Sequence, residues 1–203
     1  DTAKEEKFDK IIAATGSETL VPRLEGVENA LNPLDILDGK IPEAKSFIVC
    51  GAGLVGCEVS MHLAELGKDV TMIDIVPDAH AAHMYAVDWS INAKLAQDGV
   101  RVELGEKILK IEKNAVVCQP RQEKMPHDPK ILQTPVDLSG PYAEETVTFT
   151  GDAVICALGM KAVNTMAYEL KDAGYPVEII GDAYGARKII DAVHEGFHAG
   201  RRT

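Results

Sequence analysis

The 203-residue chain is poor in basic side chains, in long apolar runs and in paired cysteines. Lys and Arg total 21 against 32 Asp and Glu, a formal net charge of −11. Nucleic acid and anionic membranes both call for a basic field, so neither is an expected partner. No apolar stretch nears the roughly 18 to 20 residues that cross a bilayer. The polar, acidic start DTAKEEKFDK lacks the form of a signal peptide, and a cytoplasmic protein is expected. The four cysteines, Cys50, Cys57, Cys118 and Cys156, make no CxxC and no ligand cluster. They read as small buried apolar residues, with no redox disulfide and no iron–sulfur motif. What the chain does have is 46% hydrophobic residues, enough to bury a core in one large or two small domains.

The densest signal runs from Phe47 to Asp74, FIVCGAGLVGCEVSMHLAELGKDVTMID. Phe47 to Cys50 predict a buried strand, Gly51, Gly53 and Gly56 spell GxGxxG, and Leu54, Val55, Val59, Leu63 and Leu66 mark an apolar helix face. Val70 to Ile73 predict a second strand, and Asp74 stands 18 residues beyond Gly56. Gly51 permits the tight turn, Gly53 lets backbone approach a pyrophosphate, and Gly56 lets helix and strand lie close. The helix start at Leu54 and Val55 offers unpaired N–H groups and a positive dipole end to phosphate. Asp74 is placed to accept from adenosine ribose hydroxyls. A 2'-phosphate would meet that carboxylate, and no Arg or Lys stands between Ile75 and Tyr85 to receive it, so NAD is expected over NADP.

Around this unit, Phe8 to Ala14 predict a strand, followed by a loop-rich stretch with Pro22, Gly26 and Pro33 and a connector at Gly39 to Lys45. Tyr85 to Gln97 predict a second amphipathic helix ended by Asp98 and Gly99. Val100 to Leu104, Ile108 to Glu112 and Ala115 to Cys118 predict an antiparallel meander beside the parallel strands. Gln119 to Tyr142 hold five of the ten prolines and read as an excursion loop. Thr146 to Thr150, Ala153 to Leu158 and Val177 to Ile180 return as strands, and Arg187 to Gly200 as a closing helix.

Two histidine patterns invite a metal reading. His194 to His198 spell HExxH, but Gly196 weakens the helix and only five residues follow to supply a third ligand. His80 and His83 lie in a loop beside a single acid, Asp78. No metal is assigned to either. Arg187 and Asp191 of the closing helix are placed either to orient a nucleotide or to serve as surface charge, and surface charge is the reading preferred.

Three short signatures complete the pattern: ATG at Ala14 to Gly16, ALG at Ala157 to Gly159, and IIGDA at Ile179 to Ala183, which leads into ARKIIDAVHEGFHAGR. With GAGLVGCE they resemble the two-dinucleotide-domain flavoproteins of the NADH oxidase and disulfide reductase type. In detail they resemble the C-terminal module of the NADH:flavin oxidoreductases, which include 2,4-dienoyl-CoA reductase, 2-enoate reductase and trimethylamine dehydrogenase. The resemblance implies an α/β fold: a Rossmann-like three-layer NAD-binding domain with an antiparallel meander, inserted in a partial FAD-binding domain. The expected division is 1–40 for the partial FAD-binding domain and connector, 41–160 for the NAD-binding domain, and 161–203 for the rest of the FAD-binding domain. It further implies that Ala14, Thr15 and Gly16 lie near a flavin nucleotide, that Gly159 lines the NAD side, and that Leu54 and Glu58 sit nearest the nicotinamide. Gly181 and Asp182 match the positions that meet the FAD ribityl chain.

The family's first flavin-domain GxGxxG is absent before residue 51, and no barrel with FMN and a four-iron cluster is visible. The chain is therefore expected to be a fragment of a larger enzyme, weak in FAD binding and inactive alone, whose partners are the missing flavin and barrel domains. The resemblance implies that the second site of the longer enzyme holds FAD, or ADP as in trimethylamine dehydrogenase. Exposed edges leave homo-oligomerisation open. Two functions stand at this point: an NADH-fed flavin oxidoreductase module acting on an unsaturated substrate, and a non-catalytic module holding ADP or NAD.

Overall fold

A computed structural model of the chain describes residues 8–76, 88–122 and 138–202. They divide into two compact units: residues 21–159 form one, and residues up to 20 together with 160 onward form the other. The described residues open with β1 (Ile11–Ala13) and β2 (Ser17–Thr19) of the second of these.

The unit of residues 21–159 begins with a 3-10 turn, Val27–Asn29, and a short helix α1 (Pro33–Leu37), whose Asn32 side chain accepts from the Leu34 N–H at 2.9 Å and so caps its first turn. Then come β3 (Ser46–Cys50), α2 (Leu54–Glu65), β4 (Asp69–Asp74), α3 (Asp88–Gln97) and β5 (Arg101–Leu104). They are followed by β6 (Glu106–Glu112), β7 (Ala115–Pro120), β8 (Val147–Thr150) and β9 (Ala153–Cys156). A four-stranded parallel sheet runs in the order β5-β4-β3-β9, and β6-β7-β8 form an antiparallel meander.

The strand period of two explains why this sheet is apolar on both faces. Phe47 and Val49 point with Met72 and Ile155 into a cluster with Val59, Leu63 and Leu95 of the helices. Ile48 and Cys50 point with Ile73 and Val154 into a second cluster with Ile111, Val116 and Cys118 of the meander. Helices, parallel sheet and meander are thus three layers around two cores. Each fully buried Phe, Ile or Leu side chain adds about 1.5–3 kcal/mol of transfer free energy.

Two expectations are corrected here. Val100 to Leu104 do not open the meander: β5 joins the parallel sheet, with Thr71 opposite Arg101 and Asp74 opposite Leu104. An intervening helix returns the chain parallel to the strand it left, and the meander's third strand is instead β8, from beyond the excursion. Residues 21–40, expected with the partial FAD-binding domain, group instead with 41–159 and not with the unit that holds β1 and β2. The Leu31 N–H bonds the Val154 carbonyl at 2.8 Å, the Cys156 N–H bonds the Leu31 carbonyl at 3.1 Å, and Ile36 is buried in the helix-side core. Excursion residues 123–137 lie outside the described residues, as do 85–87 of the second predicted helix.

In the other unit the chain returns with β10 (Met160–Ala162), α4 (Thr165–Asp172), β11 (Val177–Ile179) and α5 (Ile189–Gly200). β1 pairs with β11 in parallel, Ala13 opposite Ile179, and β2 pairs antiparallel with β10, Ser17 opposite Ala162. The β2–β10 pair and α4 carried no sequence expectation. Among the described residues no helix is long and apolar enough to cross a membrane.

Candidate nucleotide sites

The glycine turn stands at the carboxyl ends of β3, β4 and β9, and its three glycines are there for three different reasons. Gly51 has φ of 114°, and a Cβ on it would lie 2.3 Å from the Ala157 carbonyl oxygen. A Cβ on Gly56 would lie 1.9 Å from the Gly51 carbonyl oxygen, so helix α2 touches the turn backbone to backbone. Gly53 has an ordinary φ of −70°, and a Cβ there would meet nothing within 4 Å. It is the cap residue of α2, with no side-chain capping bond. The N–H groups of Leu54, Val55 and Gly56 follow as the helix's first turn, where no intrahelical acceptor exists.

Asp74 closes this arrangement. One carboxylate oxygen accepts from the Ala52 N–H at 2.6 Å and the other from the Val76 N–H at 2.9 Å. The acid is thereby bonded to the middle of the glycine turn and held in one orientation. Leu54, 37% exposed, and Glu58, also exposed, lie one turn apart on α2. Gly159 is exposed, with φ of 126°, two residues beyond the Ala157 that abuts Gly51. The structure thus brings Gly51, Gly53, Gly56, Leu54, Val55 and Asp74 to one end of one sheet.

The β1–β11 pairing brings the other candidates together in their own unit. The Thr15 hydroxyl donates to the Val163 carbonyl, and Gly16 has φ of 73°. Gly181 has φ of 60° and opens a three-residue 3-10 turn, Gly181–Ala183. Ser17 Oγ donates to Asp182 at 3.1 Å, which ties the segment after Ala14, Thr15 and Gly16 to the acid.

The HExxH run has another role. Glu195 accepts from the Gly181 N–H at 2.7 Å and pairs with the Arg187 guanidinium, while His194 and His198 are exposed. The Arg187 guanidinium, and then the Gly181 N–H, hold the Glu195 carboxyl below the usual carboxylate range. Asp191 accepts from the Lys188 N–H at 3.1 Å and caps α5. Sequence reasoning left Arg187 and Asp191 as surface charge, because no local pattern marks bonds made across a fold. Among the described residues no group of three or more His, Cys, Asp or Glu is arranged to hold a metal ion, and His80 and His83 lie outside them.

All four cysteines are buried and none is in a disulfide. Burial pushes the Cys118 thiol up to about 12, and pushes Cys50 and Cys156 up as well. A thiolate is the reactive form, so the native chain is expected to be inert to Ellman's reagent at pH 8 and to titrate fully only in denaturant. Rapid native labelling of one thiol per chain would contradict this packing.

A glycine turn against an uncapped helix start, with an acid at the end of the next strand, defines a Rossmann-like dinucleotide-binding fold. The chain belongs to the pyridine nucleotide-disulphide oxidoreductase family, whose model matches residues 1–192. It is 30% identical over 197 residues to an NADH oxidase of Thermoanaerobacter brockii, covering 93% of this chain and 27% of that protein. A cinnamate reductase of Clostridium sporogenes is 22% identical over 209 residues, covering 99% of this chain and 27% of that protein. A solved 2-naphthoyl-CoA reductase complex shares the fold with a TM-score of 0.78 at 24% identity, over 98% of this chain and 28% of that one. The chain spans less than a third of the length of these relatives.

Proposed function

We propose that the Val21–Gly159 unit binds NAD(H) at the Gly51 to Gly56 turn, as part of a longer NADH:flavin oxidoreductase that reduces an unsaturated substrate. The observation that carries this reading is the open space at Gly53. Neither its backbone angle nor its packing calls for glycine. What glycine leaves room for there is a ligand, in front of the first-turn N–H groups that suit a pyrophosphate. Each carboxylate oxygen of Asp74 keeps a lone pair beyond the one taken by Ala52 or Val76, enough for the adenosine ribose hydroxyls. Leu54 and Glu58, with Gly159, border the nicotinamide end.

Ala14, Thr15, Gly16, Gly181 and Asp182 contribute to the nucleotide of FAD, or of ADP in its place. When bound, NADH supplies a hydride and the flavin accepts it. The chain's own residues bind and orient: Asp74 selects the ribose, the glycine turn seats the phosphates, and Asp182 faces a polyol. The relatives named as reductases of cinnamate and of 2-naphthoyl-CoA support an unsaturated substrate. FMN and a four-iron cluster belong to the longer protein in this reading. The buried, scattered thiols here do not fit a cluster.

Calorimetry tests the reading. NADH is expected to bind about tenfold tighter than NADPH, about 1.4 kcal/mol. Gly53→Ala is expected to melt like the parent chain and to bind NADH about tenfold more weakly, because its methyl group enters the phosphate space. Equal NADH affinity in the variant would remove the phosphate assignment. Absence of NADH binding by the parent chain would favour a non-catalytic module.

A further inference from the structure

The glutamate of the HExxH run is the one polar side chain of α5 whose bonds converge on a candidate site. The turn Gly181–Ala183 is tied at each of its three residues to a different element. Glu195 of α5 takes the Gly181 N–H at 2.7 Å, and Ser17 of β2 donates to the Asp182 carboxylate at 3.1 Å. Asn164, the cap residue of α4, donates to the Ala183 carbonyl at 2.9 Å. Arg187 serves twice: its N–H donates to the other Asp182 oxygen at 3.3 Å, and its guanidinium pairs with Glu195.

A glycine at φ of 60° adds little stiffness of its own, and a turn of three residues has no helix behind it. Its direction therefore depends on what grips it. A charged acceptor on an N–H is the strongest grip available to backbone. We propose that Glu195 is a positioning residue: by holding the Gly181 N–H and the Arg187 side chain together, it fixes the direction in which Asp182 presents its carboxylate to the hydroxyls of a flavin ribityl chain. The inference rests on the reading of Asp182 given above. It assigns the glutamate of the HExxH run to ligand orientation and gives the two histidines no part in it.

The test is a titration of the full chain, 15N-labelled, with FAD, following the amide signals of Gly181, Asp182 and Ala183. Millimolar FAD keeps weak binding within reach. Glu195→Ala is expected to weaken the response about tenfold or more, whereas Glu195→Gln, whose side-chain oxygen still accepts from Gly181, retains most of it. Glu178→Ala, on β11 beside the same cavity as Glu195, removes ion pairs with Lys10 and Arg202 but no bond to the turn, and is expected to titrate like the parent chain. Glu195→Ala titrating with parental affinity overturns the proposal, as does a Glu178→Ala loss equal to that of Glu195→Ala, which would mark general destabilisation. Asp182→Ala with parental affinity, or no response of the parent chain, overturns the polyol reading itself and the proposal with it. The hydrogen exchange rate of the Gly181 amide separates these cases. Unchanged exchange in Glu195→Ala overturns the grip alone.

Discussion

Gly56→Ala is expected to destabilise the Val21–Gly159 unit by about 3 kcal/mol, seen as a melting temperature lower by roughly 10 °C. Two effects of opposite sign compete. Alanine is the better helix former by up to about 1 kcal/mol, and Gly56 sits within α2. Against this, the added methyl carbon would lie 1.9 Å from the Gly51 carbonyl oxygen and 2.9 Å from its carbon. Those are backbone atoms. Gly51 is itself fixed by its N–H on the Ile73 carbonyl at 2.7 Å, and the Ala157 carbonyl oxygen fills the place of its absent Cβ, so the turn has nowhere to retreat. Relief requires α2 to lift off the sheet, which loosens Val59 and Leu63, both fully buried. The clash outweighs the propensity. A melting temperature equal to or above the parent's would show that the helix shifts freely and that the close approach is dispensable.

Asp74→Ala is expected to cost about 1–3 kcal/mol of NADH affinity, the range for a hydrogen bond to a charged partner. The geometry divides that loss in two. Part is the direct contact with the ribose hydroxyls. The rest is the orientation of the turn, since the same carboxylate holds the Ala52 and Val76 N–H groups. Asp74→Asn keeps the shape and one accepting oxygen, so it is expected to fall between parent and alanine variant. NADPH separates the contributions: without the carboxylate, repulsion of a 2'-phosphate disappears, and NADPH is expected to lose less than NADH or to gain. Calorimetry on the three proteins with both nucleotides reads this directly. Parallel losses for NADH and NADPH would mean that Asp74 acts only as a brace for the turn.

The sequence was most legible where short-range chemistry specifies structure. β3, α2 and β4 are marked by alternation, by glycines at fixed offsets and by an acid at a strand end, and each of those signals is complete within about thirty residues. Legibility failed where two elements look alike locally. Val100 to Leu104 alternates as an antiparallel strand does, and only the helix before it dictates the parallel partner. The segment around Leu31 carries proline and glycine and reads as a loop, yet its backbone bonds β9. Glu195 was the hardest. Its sequence neighbours spell a metal motif, and the bond that gives it a role joins residues 14 apart across a turn.

The pairing of β2 with β10 has a consequence for the order in which the chain folds. Thr19 and Met160 are register partners, so for the smaller unit the whole span from Val21 to Gly159 is the connection of a hairpin. Compared with a four-residue turn, a connection of that length in unfolded form is about five doublings longer and costs about 3 kcal/mol more entropy to close. Three-residue strands have few bonds with which to offset it. Once the inserted unit has folded, the long slack is gone and so is most of that cost. Folding of the Val21–Gly159 unit therefore lowers the entropy that pairing β2 with β10 must overcome.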